Sequence, residues 1–328
     1  MAARLGRLAG AFWKPKGLLV LLLAGCGLLF VRFRLNFDDE HLSSRNETPL
    51  VLFWKAGDRE QLLRSFERSA DCPHACVFTA DPADAERAAV HVLHACAYDV
   101  PSPPPTHPLR VHLMGESPHN SHEWTGDPAY FNATVSYRST ATIFRPYGRF
   151  VARDGGERPA DVWSEREVKA AIGRKKAAVL LAISNCSPHF APSGRLAYAA
   201  ALERHIAVTR VGGCFGRRVS DEELAALVAD HHFFLAFENS VCPEYTTEKF
   251  WRLKDLIVPV VLSRGAVNPH EVPNGTFVAA SDFRTPRELA AHLHFLIQNK
   301  REYENGIALP DGDGLHKLEA FRERMWTR

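Results

Sequence analysis

Residues 233–251 read FFLAFENSVCPEYTTEKFW, an apolar run that ends in Glu238, Asn239 and Ser240 and is followed by Thr247, Glu248 and Lys249. A buried parallel strand opening onto polar groups is where an α/β sheet receives ligand. A helix beginning near Thr247 carries Glu248 and Lys249 in its first turn, and its free N–H groups with the lysine charge suit a phosphate. The plainer reading is an acidic helix start with a surface lysine. Glu116 follows the apolar segment 110–114 and reads either as a turn residue or as a carboxylate able to take a proton. His119, His122, His231 and His232 show no ligand-like pairing, so structural or surface roles suit them better.

These residues need a scaffold, and the chain supplies alternating strands and helices. Strands are expected at 50–54, 77–79, 89–95 and 110–114, with a helix at 59–69 and a stiff proline-rich connector at 101–108. A second series has strands at 179–184, 206–211, 233–237, 258–262 and 277–280, and helices at 164–174, 195–205, 221–231, 247–255 and 286–299. Ser220 with Glu223 and Thr285 with Glu288 read as capping boxes. Continuous apolar strands such as VLLAIS, FFLAF and VPVVL imply parallel sheets covered on both faces. The expected architecture is α/β, two doubly wound domains facing a cleft.

Composition narrows the classes. The 328 residues are 46% hydrophobic and 24% charged with a net charge of +2, an ordinary globular balance without the basic field that gathers nucleic acid. The apolar run at 18–31 has Arg4, Arg7, Lys14 and Lys16 before it and Arg32 and Arg34 after it, and reads as a signal anchor with the N-terminus cytosolic. As a helix it spans about 21 Å, which suits a thin early-secretory membrane. A cleavable signal peptide is the rival, but no A-x-A-like site precedes the arginines. Luminal residence makes the sequons at Asn46, Asn132 and Asn274 glycosylation candidates, beside a formal one at Asn185. It also lets the cysteines at 72, 76, 96, 186, 214 and 242 form up to three disulfides; zinc at Cys72 and Cys76 lacks a second ligand pair.

The motif FENS-x4-Y-x-TEKFW resembles the donor-site signature of the α1,3/α1,4-fucosyltransferase family, Golgi type II membrane enzymes that use GDP-fucose. Glu116-Ser-Pro118, then Phe131-Asn-Ala-Thr-Val-Ser-Tyr137-Arg138, then Pro146-Tyr147-Gly148 resemble its upstream block, and Ser184-Asn185-Cys186 its SNC segment. With the strand at 258–262, these blocks cover roughly residues 88 to 300 in family order.

The resemblance implies the GT-B fold and inverting transfer of fucose to a GlcNAc-containing glycan in protein glycosylation. The implied organisation is a cytosolic tail at 1–17, the anchor at 18–31, a short stem at 32–48, an acceptor-side domain at 49–160, a GDP-fucose domain at 161–300 and a C-terminal tail at 301–328 packing on the domains. It implies Glu116 as general base, Lys249 and Arg195 as cations on the diphosphate, and Glu248 as a ribose contact. Ser184, Asn185, Asn239 and Tyr245 match other nucleotide-site positions. No cofactor is required, with divalent-cation stimulation a non-essential option. The expected partners are GDP-fucose, a glycan or glycoprotein acceptor and the membrane. Asp311-Gly-Asp313 superficially matches a D-x-D metal motif but follows no buried strand and reads as a solvated turn.

The chain departs from the family pattern in places. Val208-Thr209-Arg210-Val211-Gly212 stands where relatives carry V-D-x-Y-G, Ala133 replaces a tryptophan, and Ser139-Thr140 replace the polar residues usual after Tyr137-Arg138. The alternatives to an active fucosyltransferase are therefore a catalytically inactive GDP-sugar or glycan-binding relative, and a transferase using another sugar nucleotide.

Overall fold

A computed structural model describes residues 48–54, 75–94, 109–121, 128–150, 162–187, 189, 191–273 and 275–307. The expected helix at 59–69, the connector at 101–108, the anchor at 18–31, the D-x-D turn, Asn46 and Asn274 lie outside those residues. Among the described residues no helix is long and apolar enough to cross a membrane.

The first sheet contains six parallel strands in the order β2-β1-β3-β4-β5-β6: β1 (Leu50–Trp54), β2 (Val77–Thr79), β3 (Val90–His94), β4 (Leu109–Met114), β5 (Ala133–Ser136) and β6 (Ile143–Phe144). Its core joins Phe53, Val92, Val111, Leu113 and Ala133 across neighbouring strands. Alternation in β4, with Val111 and Leu113 buried and their neighbours half-buried, sets which side chains reach this core.

The second series opens with α1 (Glu165–Arg174), whose Ser164 and Glu167 complete a reciprocal capping box. It continues with β7 (Ala177–Ala182), α2 (Arg195–Glu203), β8 (Val208–Val211), α3 (Asp221–Asp230) and β9 (His231–Leu235). A six-residue 3-10 helix, Phe250–Asp255, precedes β10 (Val258–Val261), β11 (Val278–Ala279), α4 (Pro286–Gln298) and α5 (Lys300–Ile307). These five strands form a parallel sheet in the order β11-β10-β9-β7-β8. Two cores cover its faces: Val179, Leu181, Phe233 and Val260 pack with Leu202, Leu289 and Leu293, while Leu180, Phe234 and Val261 pack with Val228 and Phe250. Burial on both faces explains why the strand sequences are uninterrupted apolar runs.

Several details differ from the sequence expectations. The helix expected at 247–255 is a 3-10 turn beginning at Phe250, with Lys249 at its N-cap and Leu256 in the left-handed region (φ 59°) ending it. Thr247 sits just before this turn, its backbone N–H and hydroxyl both donating to Glu238 and its carbonyl accepting from the Phe250 N–H. Ser220 and Thr285 do cap α3 and α4. Their glutamates do not close the boxes: Glu223 binds Arg217, and Glu288 accepts from the Arg284 backbone N–H, one residue before the cap. Strands β5 and β6 and helix α5 were not expected.

Candidate active site

In the second sheet the chain leaves β7 toward β8 on one side and returns through β9 toward β10 on the other, so the strand order reverses between β7 and β9. Ligands of open α/β sheets bind beyond the carboxyl ends of the strands at such a point. Ser184 and Asn185 follow β7, and Glu238, Asn239 and Ser240 follow β9. Ser184 and Asn185 are exposed there, and the Asn185 side-chain oxygen accepts from the Ser187 N–H at 2.9 Å. The neighbouring turn is fixed tightly. Gly212 has φ 106°, and a Cβ on it would lie 2.2 Å from the Ile183 carbonyl oxygen, so only glycine fits. Cys186 and Cys214 close a disulfide across this pair of turns with their Cα atoms 5.1 Å apart, while Cys76 and Cys242 are free thiols.

Glu238 is the anchor of the next segment. It is 8% exposed, accepts from the Thr247 N–H at 2.8 Å and the Thr247 hydroxyl at 2.7 Å, and pairs with Lys249 Nζ at 3.1 Å. Lys249 also donates to Glu248 at 2.9 Å and to the Thr247 hydroxyl at 3.0 Å. Burial works against the Lys249 ammonium, yet the Glu238 and Glu248 carboxylates outweigh it and hold the amine above its ordinary value. The lysine is therefore charged and held by protein carboxylates. The sequence marks Glu238 as one of the polar groups at the strand end but gives neither it nor Thr247 a role of its own, since their mutual bonds join residues nine positions apart.

Arg195 opens α2 after Gly194, whose φ of 69° is left-handed. Its side chain is 4% exposed and donates to the Phe237 carbonyl at 3.2 Å and the Asn185 carbonyl at 3.0 Å, bracing the ends of β9 and β7. Burial lowers its pKa, with Glu238 opposing. Its Nε is buried without a partner.

Glu116 comes from the other sheet, just beyond β4, where Ser117 is fully buried and Pro118 opens a 3-10 turn. The Glu116 carboxylate accepts from the Tyr245 hydroxyl at 2.9 Å and from the Asn239 amide at 3.3 Å, and next to it the Ser117 hydroxyl donates to Ser240 at 2.9 Å. Glu116, Asn239 and Tyr245 are thus brought into direct contact, with Lys249 four residues beyond Tyr245. Burial raises the Tyr245 phenol well above its ordinary value, and Glu116 adds to the shift, so the tyrosine stays protonated as a donor. Tyr147 behaves alike and donates to the Gly115 carbonyl. Gly148 has no room for a side chain, because a Cβ there would come within 2.3 Å of the Trp251 ring.

The remaining candidates fall elsewhere. Asn132 uses its side-chain oxygen to accept from the Arg110 backbone N–H at 2.9 Å, pinning the root of β5 to β4. Thr209 pairs with the His231 ring at 2.7 Å; that ring also meets the Leu227 carbonyl. Among the described residues no group of three or more His, Cys, Asp or Glu is placed to hold a metal ion.

Comparison with known proteins gives the same blocks a wider context. Residues 46–148 match the family described as fucosyltransferase, N-terminal, and residues 172–306 match glycosyltransferase family 10 (fucosyltransferase), C-terminal. The chain belongs to this fucosyltransferase family.

The α-(1,3)-fucosyltransferase fut-1 of Caenorhabditis elegans is 31% identical over 261 residues, covering 77% of this chain and 57% of the worm protein. The 4-galactosyl-N-acetylglucosaminide 3-α-L-fucosyltransferase FUT6 of Pan troglodytes is 30% identical over 285 residues, covering 82% of this chain and 74% of that protein. The α-(1,3)-fucosyltransferase 4 of Mus musculus is 36% identical over 203 residues, which is 60% of this chain and 45% of that protein. The chain thus spans only about half the length of several of these relatives. In fold it is similar to a crystal structure of an α1,3-fucosyltransferase with GDP-fucose, with TM-score 0.55, 15% identity and coverage of 84% of this chain and 88% of that one.

Proposed function

We propose that this chain is an inverting α1,3-fucosyltransferase that moves L-fucose from GDP-fucose to a GlcNAc-containing glycan. The observation that carries the reading is the contact of the Glu116 carboxylate with Asn239 and Tyr245 beside the Lys249 cluster. It unites a proton acceptor from one sheet with a cation at the switch point of the other.

On this reading the work divides as follows. An acceptor hydroxyl attacks the anomeric carbon of the donor from the face opposite the phosphate; the new C–O bond forms as the bond to GDP breaks, and Glu116 takes the hydroxyl proton. Asn239 and Tyr245 hold that carboxylate by donating to it, which keeps it oriented. GDP departs with added negative charge, and Lys249 stabilises it. Arg195 braces the two strand ends and adds positive charge behind them. We assign Glu248 to the ribose and Ser184 and Asn185 to the border of the nucleotide. No metal is required, and we assign any divalent-cation stimulation to the diphosphate of the donor.

The sequence supports the remaining setting: residues 18–31 as a type II anchor in the Golgi membrane, a short stem at 32–48, an acceptor-side domain at 49–160, a GDP-fucose domain at 161–300, a C-terminal tail at 301–328 expected to pack on the domains, and glycans on Asn46, Asn132 and Asn274. Protease protection and glycosidase sensitivity of the expressed chain test orientation and glycans.

The activity is tested by offering the full chain GDP-fucose with N-acetyllactosamine and N-glycan core acceptors and measuring fucose transfer and GDP release. Transfer with an α1,3 linkage supports the reading. Tight GDP binding with no transfer to any acceptor would instead favour a binding-only relative.

A further inference from the structure

Glu244 has φ 64° and, with Leu256, is one of two non-glycine residues in the left-handed region among the described residues. A side chain that is not glycine, asparagine or aspartate is held there at a cost, and such strain persists only where its surroundings impose it. Here the surroundings are in the other sheet. Both Glu244 carboxylate oxygens are used: one accepts from the Ser139 backbone N–H at 2.6 Å and the other from the Ser139 hydroxyl at 3.0 Å. Ser139 lies in the turn between β5 and β6.

The next residue is Tyr245, which is 2% exposed, packs its ring 5.0 Å from that of Tyr137 and donates its hydroxyl to Glu116. One short turn therefore makes two contacts with the first sheet, one at Ser139 and one at Glu116. Two further bonds shape the turn, from the Tyr245 N–H to the Cys242 carbonyl and from the Thr246 N–H to the Glu244 carbonyl. The left-handed residue aims the Glu244 carboxylate at Ser139 while leaving Tyr245 directed inward.

We propose that Glu244 is a positioning residue for fucose transfer: its two-point grip on the Ser139 turn seats the Tyr245 hydroxyl on Glu116 and so couples the orientation of the base to the docking of the two sheets. This rests on the transferase reading above. The Glu244 carboxylate binds Ser139 rather than the base, and it acts through Tyr245. A misplacement of a reacting group by about an ångström slows a positioned reaction, whereas Lys249 is held by Glu238 and Glu248 rather than by Glu244.

The test compares the full chain with Glu244→Gly and Glu244→Gln. Glycine adopts the left-handed conformation without strain, so Glu244→Gly removes the carboxylate while leaving the turn free to form. Glutamine keeps an oxygen for the Ser139 N–H. For Glu244→Gly we expect kcat to fall roughly tenfold, with GDP affinity and the unfolding midpoint close to those of the parent chain. Glu244→Gln should regain most of the rate.

Wild-type kcat in Glu244→Gly overturns the proposal. So does a parallel loss of GDP affinity, which would mark a general structural role, or a Glu244→Gln chain as slow as Glu244→Gly. Failure of the parent chain itself to transfer fucose is a separate result that removes the transferase reading and this inference together.

Discussion

The Tyr245 hydroxyl donates to the Glu116 carboxylate at 2.9 Å, joining residues 129 positions apart in the chain and belonging to different sheets. A hydrogen bond to a carboxylate contributes about 1.5–3 kcal/mol, enough to change a rate by roughly tenfold or more when it orients the reacting group. We expect Tyr245→Phe to lower kcat by about that factor while GDP affinity holds. Steady-state kinetics with calorimetric GDP titration checks it, and an unchanged kcat would show that Glu116 is oriented by other means.

Lys249 pairs with Glu238 and is proposed to hold the donor, two roles that substitution can separate. Lys249→Met leaves the buried Glu238 carboxylate without its cation, at a cost of roughly 3 kcal/mol in stability, and also weakens donor binding. Adding Glu238→Gln removes the stranded charge. The double variant should recover stability in urea denaturation but not GDP affinity, and recovery of both would take Lys249 out of donor binding.

Much of the scaffold was legible because burial on both faces demands continuous apolar strands: β1, β7, β10 and β9 from Phe233 onward appear as such runs, while β4 is read from its alternation. Strands β5 and β6 were not, since ATVS is short and half polar and Ile143–Phe144 has only two residues, so their pairing with β4 and with each other decides them. The segment at 247–255 carries helix signals but is a 3-10 turn that ends at Leu256 in the left-handed region, and no local residue pattern distinguishes that tighter winding from a short α-helix. In the site, Glu238, Asn239 and Lys249 could be read from a strand ending in polar residues. That Glu116 meets Tyr245 could not, because no local spacing records a contact across two sheets.

The Gly148 position shows how closely the two halves pack. With Trp251 only 2.3 Å from where a Cβ would sit, Gly148→Ala must displace the ring, which also contacts Phe150 and Phe250. A loss of about 1–3 kcal/mol in unfolding free energy is expected. A variant as stable as the parent would show that the ring can shift freely.

The Cys186–Cys214 disulfide spans 28 residues and ties the Ser184–Asn185 turn to the Gly212 turn. Replacing both cysteines with serine should lower stability by about 3 kcal/mol and weaken GDP binding, as the two turns lose their link. Loss of stability with intact GDP affinity would separate the disulfide from the nucleotide site.

Lys175 gives a pH signature away from the site. Its ammonium is 8% exposed at the end of α3, donating to the His231 carbonyl at 2.7 Å and the Val228 carbonyl at 3.3 Å, and burial lowers its pKa to about 8. Between about 8 and the ordinary lysine value near 10.5 the unfolded chain binds more protons than the folded one, so this group's contribution to stability rises with pH across that window. Urea denaturation of the parent chain and Lys175→Met at several pH values should show the difference growing in the parent's favour from pH 8 to 10. A constant difference would contradict it.

The most direct test of the whole account is the rate of fucose transfer from GDP-fucose by Glu116→Gln beside the parent chain, with GDP affinity measured on both. We expect the parent to transfer and Glu116→Gln to bind GDP as well while losing transfer by at least a hundredfold, on the order of what removing a general base costs. Transfer by Glu116→Gln at a similar rate would contradict the assignment of Glu116 as the base and the catalytic role given to its contact with Tyr245.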